Sequence, residues 1–411
     1  MSDADTTPPE ERRRLAVQHL RARAQMEGRR GIRQGVRLAL LQASGAILRR
    51  REKRRPKPET SSILVIRPDH LGDLLFTTPA LRRLRNAFPA SRITALVGPW
   101  GESVVAHCPY VDEVMVCRFP GFRRAAKRSW LEPYRILWYD AGILRARRFD
   151  LALILRFDHW WGALLAALAG IPRRVGYDVA EVKPCLTRAI PYVAGRHEVI
   201  QNLALVNEVA EKVDKEITWR EEPLEFSPSA ADETWAKEYL ASRGGERWIA
   251  IHAGAGAPVK QWRAPAWAAV GNALASRLGA GILLTGSREE RPLAEEIARD
   301  LTGPTLVAAG ETTLSQLAAL LRRCCLVLGP DCGPLHLAVA VGTPTVHLYG
   351  PASVALFGPW GDPARHRAVM SDWACAPCNR LDYAESELPL HGCVRDITVE
   401  QVLAAAEEVL G

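Results

Sequence analysis

Residues 325–351 read CLVLGPDCGPLHLAVAVGTPTVHLYGP. Three textures follow one another in this run. Cys325–Leu328 is short and wholly apolar, as a strand covered on both faces must be. Gly329–Pro334 is a turn, broken by glycine and proline. Leu335–Val341 has helical spacing, and Thr345–Leu348 returns to an apolar strand. Strand, loop, helix and strand in that order build a mostly parallel sheet with helices on its faces. Ligands of such sheets bind beyond the carboxyl ends of the strands. Asp331 at the turn can bind a hydroxyl or an amide, and Gly333 clears space. The first N–H groups of the following helix suit a phosphate. His336 either points at the same place or packs on the sheet, and Tyr349 and Gly350 are placed to flank a ring or a phosphate.

The alternation extends outward from this run. Trp248–Ile251 and Gly281–Thr285 read as strands; Ala266–Leu278, Ala294–Arg299 and Leu317–Arg323 read as helical. A polar segment near 213–230, with Glu221, Glu222, Pro223 and Pro228, separates this half from an earlier one. There Ile63–Ile66, Arg92–Val97, Val114–Cys117 and Leu151–Leu155 are strands, and Trp161–Ala169 is a helix. Leu71–Phe88 is helical in spacing, but Pro79 imposes a kink or a second short helix. Residues 350–395 read as irregular, and Thr398–Leu410 as a closing helix with Thr398 as its N-cap. The expectation is α/β: two open domains, 61–220 and 221–397, a final helix 398–411, and a basic, partly helical extension 1–60.

Two more strand-end loops carry chemistry. Arg67-Pro68-Asp69-His70-Leu71-Gly72-Asp73 follows the first strand. Asp73 at a helix start either caps the helix or, kept ionised by the helix N-terminus, serves as a general base. In the second half, His252-Ala253-Gly254-Ala255-Gly256 leads to Lys260. Small residues there admit an anion to backbone N–H groups. Lys260 can neutralise a leaving diphosphate, or can simply be solvated on a flexible loop. No G-x-G-x-x-G follows the first strand and no G-x-x-x-x-G-K-[ST] occurs, so the motifs of dinucleotide-dependent hydride transfer and of that type of ATP hydrolysis are missing.

Composition narrows the classes further. Hydrophobic residues are 48% and charged residues 24% of the 411, enough for sizeable cores. No apolar stretch nears the ~20 residues of a spanning helix, and no uninterrupted apolar run marks a secretory leader. Nine cysteines, an odd number, fit reduced thiols in a cytosolic setting. The net charge of +8 is uneven: residues 1–60 hold 16 Lys/Arg against 7 Asp/Glu, or +9, which leaves −1 for the body. That distribution argues against nucleic acid as a partner of the body. Within the extension, Val36, Leu40, Leu41, Ala43, Ile47 and Leu48 recur at helical steps, flanked by Arg33, Arg37, Arg49 and Arg50. Such a helix lies on an anionic membrane surface, docks on its own domain, or pairs with another chain. Residues 1–11 read as unstructured, and Arg55–Pro58 as a linker.

Together the blocks Ile66–Pro79, His252–Trp262 and Gly329–Pro351 resemble glycosyltransferase family 9, the lipopolysaccharide heptosyltransferases and their relatives, over roughly residues 61–411. The resemblance implies a GT-B fold, two Rossmann-like domains facing across a cleft, with the acceptor on the first and a nucleotide-sugar donor, ADP-heptose favoured, on the second. It implies inverting transfer to a lipopolysaccharide-core or other envelope glycolipid with no metal in catalysis, at the cytoplasmic face of the inner membrane. By that likeness Asp73 is the base and Lys260 takes the diphosphate charge. His252, Gly254, Gly256, Asp331, Gly333, His336, Tyr349 and Gly350 line the donor site, and the last helix returns toward the first domain. Acceptor phosphates or acidic sugars would meet Arg67 and His70, and also Arg123, Arg124, Lys127 and Arg128 in the basic, aromatic stretch Arg118–Arg148. Two positions depart from the family pattern: Cys332 stands where many members have threonine, and Leu335 where serine or threonine is common.

Cys375, Cys378, His391 and Cys393 form C-x2-C-x12-H-x-C, so a structural zinc, a disulfide or plain thiols are all open readings. Two further functions remain beside transfer: a GT-B nucleotide-sugar epimerase, and a non-catalytic membrane-associated protein that binds glycolipid or nucleotide.

Overall fold

The computed structural model describes residues 10–18, 35, 38–39, 41–42, 60–122, 132–211, 217–242 and 247–411. The chain divides into two compact units, Gly28–Thr218 and Trp219–Gly411, the latter together with Met1–Glu27.

The first unit is built on six parallel strands: β1 (Ser62–Arg67), β2 (Arg92–Val97), β3 (Glu113–Val116), β4 (Leu151–Ile154), β5 (Arg173–Tyr177) and β6 (Arg188–Ile190). They lie in the order β3-β2-β1-β4-β5-β6. Ile63 pairs with Ile93 on one side and with Leu151 on the other. The first strand is therefore central, which is why its five residues from Ile63 onward are all buried. Pro79 does start a second helix. Leu71–Leu75 ends in a turn at Phe76–Thr77, and Thr78–Ala87 follows with the proline in its first turn, where its missing N–H costs nothing. Leu64, Ile66, Leu96, Ala152, Ile154 and Leu165 form the core, and Leu41 of the extension is buried in it. Helix Glu132–Arg147 leaves Trp138 and Tyr139 exposed.

The second unit repeats the plan. Its strands are β7 (Trp248–His252), β8 (Gly281–Thr285), β9 (Thr305–Val307), β10 (Leu326–Pro330), β11 (Thr345–Tyr349) and β12 (His366–Met370). The order is β12-β11-β10-β7-β8-β9. Renumbered from β7, this is the 3-2-1-4-5-6 order of the first sheet, the doubly wound arrangement that reverses direction between its first and fourth strands. Strand β12 corrects the expectation that residues 350–395 are irregular. It is an edge strand in which exposed Arg367 and Met370 interrupt buried His366 and Val369. An edge buries only part of its length, so the continuous apolar signal of a central strand is missing.

Trp262 and Trp267 meet edge to face at 4.8 Å in the second core, and the Trp262 indole N–H donates to the Ile397 carbonyl at 2.9 Å. Helix Val399–Leu410 begins in a capping box of Thr398 and Gln401 and buries Val402, Ala406 and Val409 in that same core. Residues 10–18 are helical, so Glu10 and Glu11 depart from the expectation that residues 1–11 are unstructured. Ala16 sits wholly buried in the second core. Among the described residues no helix is long and apolar enough to cross a membrane.

Candidate active site

In each lobe the loops that matter leave the two strands flanking the reversal. Arg67 ends β1, with Asp69 and Asp73 just beyond it; beyond β4 lie Arg156, Asp158 and His159. Arg67 is almost fully buried. Its guanidinium is 2.7 Å from Asp69, 3.1 Å from Glu198 and 3.6 Å from Asp73, and it donates to Asn202 Oδ1 at 3.1 Å. Arg156 bridges to Asp69 and donates from Nε to Asp158 at 2.6 Å. Two guanidiniums thus face four carboxylates. Asp73 is the least compensated and, with its side chain 30% exposed, the most accessible of the three that surround Arg67.

The consequence is electrostatic. Desolvation, followed by repulsion from Asp69 and Glu198, outweighs attraction to Arg67 and Arg156 and pushes the Asp73 carboxyl up to about 7. Asp69, beside both guanidiniums, is held below the usual range although burial opposes this. Buried His159 is pushed down to about 3, chiefly by desolvation. Both its ring nitrogens lack hydrogen-bond partners among the described residues, and Phe119 and Phe122 present edges to it at 5.2 and 5.6 Å.

In the second lobe the short turn Pro258–Lys260 brings Lys260 back to the loop after β10. Its Nζ is 2.5 Å from Asp331 Oδ2 and 3.2 Å from the Asp331 carbonyl. His336 Nε2 lies 3.5 Å from the other Asp331 oxygen. Burial would raise the Asp331 carboxyl, but His336 and Lys260 together hold it near 2. The His252 ring contacts the Thr285 hydroxyl at 3.1 Å and faces Glu290 at 3.9 Å. A Cβ on Gly254 would overlap the Glu290 carboxylate, so a side chain there would push that carboxylate aside where the two loops touch.

Several expected contacts change. Arg67, expected to touch an acceptor, has its ion-pair partners Asp69, Asp73 and Glu198 inside the lobe. His70 is exposed beside Trp100, with ring centroids 5.1 Å apart. Tyr349 is buried and its hydroxyl donates to Phe357 O at 2.7 Å, while a Cβ on Gly350 would overlap Val394 and Cys393. Gly350 is therefore packed close to that segment, while Tyr349 also neighbours Asp331. Gly256 is exposed, and Gly333 opens the helix Gly333–Ala340. Arg123, Arg124, Lys127 and Arg128 lie outside the described residues. Cys375, Cys378 and Cys393 are free thiols, and the His391 ring stacks on Tyr383 at 3.9 Å. Among the described residues no group of three or more His, Cys, Asp or Glu is arranged to hold a metal.

Sequence reasoning passed over Arg156, Asp158, His159, Glu198, Asn202 and Glu290. The rule that ligands lie beyond strand ends points to Arg156 through His159, which directly follow the expected strand 151–155. Glu198 and Asn202 carry no such signal, because they sit inside the helix Glu198–Ala210.

Residues 141–388 match the model of glycosyltransferase family 9 (heptosyltransferase). The chain is 26% identical over 299 residues to lipopolysaccharide heptosyltransferase 3 of Escherichia coli, covering 71% of this chain and 84% of that one. It is 24% identical over 366 residues to lipopolysaccharide heptosyltransferase 2 of E. coli strain K12, covering 85% and 98%. Among solved structures, a family 9 glycosyltransferase from Veillonella parvula matches with a TM-score of 0.71 at 25% identity, over 86% of this chain and 98% of that one. ADP-heptose lps heptosyltransferase II of E. coli shares the fold, with a TM-score of 0.67 at 23% identity over 85% and 98%.

Proposed function

This chain belongs to glycosyltransferase family 9, a glycosyltransferase of two Rossmann-like lobes in the GT-B fold, and from that premise we propose that it moves a heptose from ADP-heptose to a hydroxyl of a lipopolysaccharide core. The donor and acceptor classes are carried by the names of its relatives. The observation that carries the mechanism is the accessible Asp73 carboxyl, 3.6 Å from Arg67 and crowded by Asp69 and Glu198, which with burial push it up to about 7. A general base works best when its pKa lies near the working pH.

In this reading Asp73 takes the proton of the acceptor hydroxyl. The hydroxyl oxygen then bonds to the anomeric carbon from the face opposite the leaving group, and the bond from that carbon to the diphosphate oxygen breaks. ADP leaves with the electron pair, and the configuration inverts. Lys260, oriented by Asp331, meets the charge that develops on the diphosphate beside the loop that opens the helix Gly333–Ala340. Lys260 supplies the positive charge, so the step is proposed to run without a metal. A lipid-linked acceptor places the work at the cytoplasmic face of the inner membrane, with the basic extension as the membrane contact.

The test is transfer from ADP-heptose to heptose-deficient core in EDTA-containing buffer, alongside calorimetric titration with ADP, UDP, GDP and CMP. Selective ADP binding with heptose incorporation supports the reading. Preference for UDP or GDP overturns the donor, and loss of transfer in EDTA overturns the metal-free step.

A further inference from the structure

The helix 10–18 docks on the second lobe with a recess of about 640 Å³ between itself and the segments 261–263 and 389–396. Its ionisable lining is four arginines, Arg12, Arg13, Arg263 and Arg395, against the single acid Asp396. That acid is already engaged: one of its oxygens accepts from the Trp373 indole at 3.1 Å, and the other faces Arg12 at 3.6 Å. Arg13 reaches exposed Asp372 at 2.8 Å and lies over the Trp373 ring at 5.9 Å. The Nε groups of Arg12 and Arg13 are buried and have no hydrogen-bond partner among the described residues. Arg263 and Arg395 make no ion pair among the described residues.

A cluster of like charges in a concave site costs energy unless an anion fills it. The body, residues 61–411, carries −1 overall, so Arg263 and Arg395 are a local concentration on it, to which the basic extension adds Arg12 and Arg13. Ala16, wholly buried, fixes the helix in place, so the arginines are held and not merely tethered. Guanidinium forks match the geometry of phosphate oxygens, and several together favour a dianion over a carboxylate. The volume exceeds that of one phosphate, leaving room for the group that carries it.

We propose that this recess is a binding site for a phosphomonoester, built jointly by the N-terminal helix and the second lobe and separate from the pair Lys260–Asp331. The phosphate can belong to a soluble phosphorylated sugar or to a lipid headgroup, since both present the same dianion.

The full-length chain and its Arg263→Ala/Arg395→Ala variant are compared in two assays: calorimetric titration with glycerol 3-phosphate, and co-sedimentation with phosphatidylcholine vesicles with and without phosphatidic acid. Neither arginine supports an ion pair among the described residues, so the variant should keep its fold, and unchanged ADP binding checks this. An Arg12→Gln variant repeats the test from the helix side. Saturable binding that falls about tenfold or more in each variant supports the site, the loss expected when a charge-assisted contact is removed. If the effect is confined to the titration, the ligand is soluble; if it is confined to vesicles bearing phosphatidic acid, the ligand is a headgroup. Equal binding by wild type and variants, or no binding of either probe by wild type, overturns the proposal.

Discussion

The two lobes use the same strand order to reach opposite electrostatic results. In each, an acid from one flanking loop is bridged to a cation from the other across the point where strand order reverses. Asp69 meets Arg156 in the first lobe, and Asp331 meets Lys260 in the second. The second crevice ends there, with Asp331 held near 2. The first adds Asp73 and Glu198 around a single Arg67, and the surplus carboxylate is pushed up to about 7. Topology fixes where charges gather; the count of charges fixes what they do. The acid-rich cluster raises one of its carboxyls, and the balanced one holds its cation, Lys260, on a carboxylate.

The largest way to break this contrast is Asp73→Asn. Transfer should fall by about 10²–10⁴-fold, the usual contribution of a general base, while ADP titration should be unchanged. Loss of ADP binding as well would remove Asp73 from that role. Lys260→Ala should act in the other direction on stability. It strands a buried carboxylate, and denaturant unfolding should show a loss of about 3–5 kcal/mol. A loss under about 1 kcal/mol would mean that the pair contributes only as a surface one does.

The pH dependence sharpens the same comparison. A carboxyl raised to about 7 is protonated below that value, so kcat/KM for transfer should decline as pH falls through about 7. Asp331 stays ionised until pH nears 2, so ADP binding should remain flat across that limb. The stability that Asp73 contributes has the reverse sense. It is present at low pH and lost as pH rises through about 7, because the native state prefers the protonated form. Asp73→Asn imitates that form, so it should stabilise the chain by about 4 kcal/mol at most above neutral pH, by less as pH falls, and by nothing below about pH 4, where the unfolded carboxyl is protonated too. Thermal melts at two pH values check the difference. The smallest effect belongs to Glu198→Gln. Removing one carboxylate, and freeing Arg67 toward Asp73, should move the acid limb of the rate profile to lower pH by about one unit.

Much of the frame was legible before any coordinates. Strands β1, β2, β3, β4, β7, β8, β10 and β11 announce themselves as short apolar runs, and Pro79 and Thr398 mark helix boundaries through local backbone chemistry. Strands β5 and β6 went unread: Arg173 and Arg174 open the one, Arg188 the other, and neither looks apolar. Arg174 is nevertheless buried, its guanidinium donating to the Cys185 carbonyl at 2.6 Å.

By itself, then, the sequence determined the alternation of strand and helix, the two-lobe division and the loops where chemistry would sit, because each depends on neighbours within a few residues. Only the tertiary structure decided that Arg67 faces Asp69, Asp73 and Glu198, that Lys260 is held by Asp331, and that residues 10–18 close a basic recess on the second lobe. Those facts depend on partners 71 positions apart for Lys260 and Asp331 and 131 for Arg67 and Glu198. A carboxyl's pKa sums charges over space, and spacing along the chain carries no record of that sum.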